Sequence, residues 1–146
     1  MKTGVWQTQA PAETRTIAAG IAAQLEAGDK VLLYGELGSG KTTFIQGLVA
    51  YFDATIQVTS PSYSLIHNYP TTPPIYHVDL YRLSDAAQLD DLGLDELFVG
   101  EPIVLIEWAE RLGEALPRRC YQVNLEILSE MERRISLEEV THVAGG

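Results

Sequence analysis

The order of apolar and polar positions changes rhythm along the chain, and each change predicts an element. Residues 5–9 predict a short strand; Ile17, Ile21 and Leu25 then recur four apart and predict a helix over residues 11–27, closed by Gly28. Val31, Leu32, Leu33 and Tyr34 form an apolar run that ends in glycine-rich sequence, the pattern of a strand buried on both faces. Phe44, Ile45, Leu48, Val49 and Phe52 return to the helical period and predict a second helix over residues 41–52. Between 57 and 79, β-branched and aromatic residues interrupted by Pro70, Pro73 and Pro74 predict an antiparallel hairpin. Residues 84–98 predict short amphipathic helices broken at Gly93, and Ile103 to Ile106 predict another buried strand. Two further strands are expected near 121–127 and 133–137, within one domain over 1–139 and ahead of a loose tail over 140–146.

Composition narrows the class. With 146 residues, 46% hydrophobic and 21% charged, the chain can bury one core. Its formal charge of −10 argues against an autonomous nucleic-acid binder, which needs clustered Lys and Arg. Cys120 is the single cysteine and is expected as a small buried hydrophobe. The N-terminus lacks a signal-peptide core, and no apolar run approaches the roughly 20 residues that span a bilayer, so the expected place is the cytoplasm, with no membrane segment.

The chemistry is concentrated after the first buried strand. Gly35 to Thr42 reads GELGSGKT and fits G-x-x-x-x-G-K-[ST] between a predicted strand and a predicted helix. Glycines let successive backbone N–H groups turn inward around phosphate oxygens, and the helix points its positive end at the same place. The motif makes Leu37, Gly38, Ser39, Gly40, Lys41, Thr42 and Thr43 candidate ATP contacts; Lys41 would reach the β and γ phosphates, and the Thr42 hydroxyl would hold Mg²⁺. The fold expected around it is α/β, a P-loop NTPase-like sheet with a parallel core, an antiparallel extension and helices on both faces.

Such a loop needs an acid at a neighbouring strand end. Glu107 follows four apolar residues, and Asp79 ends a less uniform run, so one could serve the metal and the other the attacking water. Thr59, Ser60 and Ser62 surround Pro61 in a segment suited to sensing a γ-phosphate, although the same residues also suit an ordinary turn. His67 and His77 lack metal-ligand spacing and read as structural.

Taken together, GELGSGKTT at 35–43, TSPSY at 59–63, HVDLYR at 77–82 and IEW at 106–108 closely resemble the TsaE family, formerly YjeE. The resemblance implies a small ATPase of bacterial tRNA threonylcarbamoyladenosine synthesis that works with the TsaD and TsaB proteins and meets tRNA only indirectly. It implies Mg²⁺ on Thr42 and Glu107, hydrolysis supported by Asp79 and Lys41, and a switch at 59–63. By the same resemblance Thr16 approaches the base or sugar, and Arg133, or its neighbour Arg134, contacts nucleotide. The switch departs from the family's usual Ser-Pro-Thr in carrying Ser62. Trp108 is open between a place at the nucleotide and one under the sheet, and Arg82 between a catalytic cation and an acid's partner.

The alternative is a small-metabolite kinase. Those enzymes bring extra cations for an acceptor, whereas Arg82 is the one Lys or Arg between Thr42 and Glu110. No N-K-x-D guanine signature is present, which favours ATP over GTP. Nine of the ten surplus negative charges fall in that same stretch, so strong metal dependence is expected, and Asp85, Asp90, Asp91, Asp95 and Glu96 are a solvated face or a dock for a basic partner.

Overall fold

The apolar runs become the middle of a sheet in the computed structural model, which describes residues 3–59, 65–83 and 86–142. Among the described residues the strands are β1 (Gly4–Thr8), β2 (Lys30–Tyr34), β3 (Ile66–Tyr69), β4 (Ile75–Asp79), β5 (Ile103–Glu107), β6 (Arg119–Ile127) and β7 (Arg133–Thr141). The helices are α1 (Pro11–Ala22), α2 (Lys41–Phe52), α3 (Ala86–Asp91) and α4 (Leu94–Val99). The sheet order is β1-β7-β6-β2-β5-β4-β3. The central strands β6, β2, β5 and β4 pair in parallel, while β7 and β1 on one flank and β3 on the other pair antiparallel.

Successive residues of the central strands feed opposite cores, as the two-residue period requires. Val31, Leu33, Ile103 and Leu105 pack with Ile21 of α1 and Phe44, Ile45 and Leu48 of α2. Leu32, Val104 and Ile106 pack on the other face with Leu94 of α4 and Leu112 of a 3₁₀ turn at Ala109–Leu112. Burying each of these side chains is worth about 1.5–3 kcal/mol, which explains why uninterrupted apolar runs mark the middle of the sheet. Cys120 lies in the second core, where burial pushes its thiol up to about 11. The helices on both faces, the parallel core and the antiparallel flanks match the expected class.

Three local expectations are corrected. Helix α1 stops at Ala22 rather than Ala27, because Gln24 and Leu25 donate to the carbonyls three residues back and tighten the chain into a turn. Gly28, with φ of 89°, therefore serves the approach to β2, where its N–H donates to the Glu101 carbonyl. At the other end β7 runs on to Thr141 rather than ending near 137, with Val140 opposite Cys120. The His142 N–H then donates to the Arg118 carbonyl.

Helices α1 and α2 cross at Gly47. A Cβ there would stand 2.4–2.8 Å from backbone atoms of Arg15, so only glycine permits this approach. The crossing seats α2 over the face of the sheet that carries the acids.

Candidate nucleotide site

The loop between β2 and α2 owes its shape to glycine. Gly38 and Gly40 have φ of 81° and 103°, in the left-handed region that residues with a Cβ avoid. Gly35 has φ of 155°, and a Cβ on it would meet the Leu125 carbonyl at 2.7 Å. The loop ends at the N-terminus of α2, where N–H groups lack intrahelical acceptors and the dipole is positive.

A cavity of about 400 Å³ opens against this loop, at the carboxyl ends of the parallel strands. It is lined by Leu37, Gly38, Gly40, Lys41, Thr42 and Thr43 from the loop and helix, and by Asp79, Arg82, Glu107 and Trp108 from the strand ends. Parallel pairing sets Asp79 opposite Glu107, and strand alternation aims both towards the α2 side, where Leu105 already packs. Two non-glycine residues among those described have positive φ, Leu65 at 65° and Trp108 at 58°, and both line this cavity. Such conformations cost roughly 1–3 kcal/mol each and gather where surrounding structure holds them for a use.

Lys41 is buried; its Nζ donates to the Gly35 carbonyl and lies 3.6 Å from the centre of the Trp108 ring. Desolvation lowers its pKa, opposed by Glu110, Glu107 and Asp79. Asp79 is pushed above the usual carboxylate range, chiefly by desolvation and further by Glu107, while the Tyr81 N–H bonded to its Oδ1 acts in the opposite sense. Thr42 Oγ1 donates to Glu107 Oε1 at 3.4 Å, and the other carboxylate oxygen accepts from His77 Nε2 at 2.6 Å.

On the other side of the loop a smaller cavity of about 120 Å³ shares Gly38, Gly40 and Thr43 and is completed by Pro11, Thr14, Glu130, Met131 and Arg133. The Arg133 guanidinium donates to the carbonyls of Gly38 and Ser39, and also to those of Ser129 and Glu132 in the β6–β7 turn. It clamps the loop from outside. Arg134, one register position on, points the other way and pairs with Glu126.

The structure thus brings Leu37, Gly38, Gly40, Lys41, Thr42, Thr43, Asp79 and Glu107 to one cavity, and Arg133 to the adjoining one. Ser39 lies buried in the loop, and its hydroxyl has no partner among the described residues. Thr16 is not brought there: it stands exposed on α1 and donates to the Ala12 carbonyl, whereas Pro11 and Thr14 line the smaller cavity. Thr59 is described, but Ser60 and Ser62 lie outside the described residues. Trp108 flanks Lys41 at the cavity rather than lying under the sheet, and Arg82 is exposed at the rim. His77, which the sequence reads as structural, stands two residues before Asp79 and so shares its face of β4.

Loop, helix and strand order place the chain among the P-loop-type α/β proteins. Within that class, the family profile described as "Threonylcarbamoyl adenosine biosynthesis protein TsaE" matches residues 8–135. The chain belongs to this family, whose proteins take part in tRNA threonylcarbamoyladenosine biosynthesis. The protein of that name from Bacillus subtilis is 40% identical over 141 residues, covering 96% of this chain and 88% of the relative. Its counterpart from Treponema pallidum is 34% identical over 113 residues, 77% of this chain and 84% of the relative. The crystal structure of Bacillus subtilis YdiB superposes with a TM-score of 0.79 at 34% identity, covering 97% of this chain and 87% of that one. Among the described residues no helix is long and apolar enough to cross a membrane.

Proposed function

We propose that this protein is a Mg²⁺-dependent ATPase whose hydrolysis or nucleotide state regulates the TsaD–TsaB transferase complex in tRNA threonylcarbamoyladenosine synthesis. The observation that carries the reading is the convergence of Lys41, Thr42, Asp79 and Glu107 on one cavity beneath a glycine loop. The family relationship supplies the biological setting. The triphosphate would lie in the larger cavity and the nucleoside would reach over Gly38 and Thr43 into the smaller one, between Pro11, Thr14 and Met131. The Ser39 hydroxyl, without a partner among the described residues, and the open space at the Cβ position of Gly38 fit a loop that takes a polar ligand.

The residues fit a magnesium ion that arrives with nucleotide. Thr42 and Glu107 converge as hard oxygen donors, while no group of three or more His, Cys, Asp or Glu among the described residues could hold a metal by itself. When bound, Mg²⁺ supplies neutralisation of phosphate charge. The chain's own groups do the rest: Lys41 neutralises charge developing on the transferring phosphoryl group, and Asp79 orients the water. The raised pKa of Asp79 moves it towards the range where a carboxylate can take a proton during attack.

Phosphate release from ATP, measured with and without TsaD and TsaB, tests the reading. Turnover that needs Mg²⁺ and rises with the partners is expected, with Asp79→Ala retaining ATP binding and losing hydrolysis. Phosphorylation of a small metabolite by the purified protein would establish a kinase instead.

A further inference from the structure

Behind the two acids runs a buried polar chain that the proposed chemistry does not use. His77 is fully buried in β4, and both of its ring nitrogens are engaged. A carboxylate only accepts hydrogen bonds, so the 2.6 Å contact means that Nε2–H donates to Glu107 Oε2. Nδ1 lies 3.0 Å from the hydroxyl of Tyr69, a buried residue of the edge strand β3. That hydroxyl is also 3.5 Å from the Thr59 carbonyl, the last described residue before the 60–64 segment. The tilted Tyr69 and His77 rings, 6.0 Å apart, and His67 edge-on to both, leave little room for the imidazole to rotate.

We propose that His77, braced by Tyr69, is a positioning residue that fixes the Glu107 carboxylate so that Oε1 faces Thr42 and the metal position. A buried carboxylate has two oxygens to satisfy. His77 occupies one by a short charge-assisted bond, which sets the plane of the group and leaves the other for the cavity. Without the imidazole the carboxylate can turn about its last bond, and the two hard donors no longer converge. Outer partners of this kind typically govern metal affinity by 10–100-fold.

This inference rests on the reading of Thr42 and Glu107 as holders of the metal, and one titration separates the two. Binding of Mn²⁺ to the protein saturated with a non-hydrolysable ATP analogue is followed by electron paramagnetic resonance, and the analogue's affinity is measured separately in EDTA. In His77→Leu, Mn²⁺ affinity should fall about tenfold or more. In His77→Gln, whose amide can still donate to Glu107, it should return to within about threefold of the parent. Tyr69→Phe removes only the bracing hydroxyl and should cost about threefold. Affinity in EDTA should be the same in all four proteins. Unchanged Mn²⁺ affinity in His77→Leu overturns the proposal, and so does an equal loss with and without metal, which marks a merely structural histidine. Should His77→Leu not fold, Tyr69→Phe decides, and parental Mn²⁺ affinity in it overturns the brace. If the parent itself binds the analogue equally with Mn²⁺ and in EDTA, the metal reading fails and takes this inference with it. Metal dependence in the parent that persists in the variants defeats the inference alone.

Discussion

Two lysines, one at each end of β2, have nearly the same description and opposite roles. Lys30 and Lys41 are both buried, and desolvation lowers the pKa of both. Lys30 sits at the start of the strand, where its Nζ donates to the carbonyls of Gly100 and Pro102 and ties the end of α4 to the approach to β5. Lys41 lies beyond the far end, bonded to one carbonyl and covered by the face of Trp108, with Asp79 and Glu107 across a cavity. Burial and a perturbed pKa are common to both, so neither marks function. The partners do: Lys30 is spent on main-chain carbonyls, while Lys41 keeps donors towards a space that an anion can enter.

The largest effect should separate them most sharply. Lys41→Ala removes a charged donor from the proposed phosphate position, and losing a charge-assisted bond of roughly 2–3 kcal/mol predicts a drop in ATP affinity of about 100-fold. Its fold should be little disturbed, because a buried ammonium is itself costly. Fluorescence or calorimetric titration of nucleotide, beside thermal melting, checks both halves. Parental affinity in a folded Lys41→Ala would remove the phosphate assignment.

Lys30→Met should do the reverse. Its stem can pack, but the half-buried carbonyls of Gly100 and Pro102 lose their donor, which predicts a loss of about 1 kcal/mol in unfolding free energy. Urea denaturation measures this. ATP affinity of the folded protein should stay parental, and a fall comparable to that in Lys41→Ala would mean that the two ends of β2 are coupled.

The contrast also shows what could be read in the chain before its structure. The phosphate loop was legible because its requirements are local: glycines at 35, 38 and 40, then Lys41 and Thr42, must be consecutive whatever the rest of the fold does. The buried runs were legible for the same reason, since a strand covered on both faces has no polar position to offer. Contacts that depend on strand order were not. His77 and Glu107 are 30 residues apart and meet only because β4 lies beside β5, and Tyr69 joins them only because β3 caps that flank. Arg133 and Arg134 are equivalent in sequence; the β6–β7 register sends one to the loop carbonyls and the other to Glu126. Periodicity outlasts helix α1, because Leu25 keeps the helical period while reaching the core from a turn. Thr16 carries a role implied by resemblance, and its hydroxyl is occupied by the Ala12 carbonyl one turn back.

The smallest predicted effect concerns the acid that faces Lys41. Asp79 has a folded pKa above its unfolded value because burial disfavours the carboxylate. The sign of the linkage follows: the protonated form is favoured on folding, so the contribution to stability is greatest below the ordinary carboxylate range and is lost as pH rises through the folded pKa. At neutral pH the apo protein therefore bears the cost of a half-buried charge. Asp79→Asn removes that charge while its side-chain oxygen can still accept from the Tyr81 N–H. Without nucleotide it should melt slightly higher than the parent at pH 7, by a margin that shrinks as pH falls towards 4, and it should release no phosphate. At the other end of the strand Lys30 is desolvated likewise, and Asp29 raises its pKa against that burial. Melting curves of the parent and Asp79→Asn between pH 4 and 8 test the point. If Asp79→Asn melts lower throughout, the carboxylate stabilises the fold as Lys30 does, and the two ends of β2 differ less than their partners suggest.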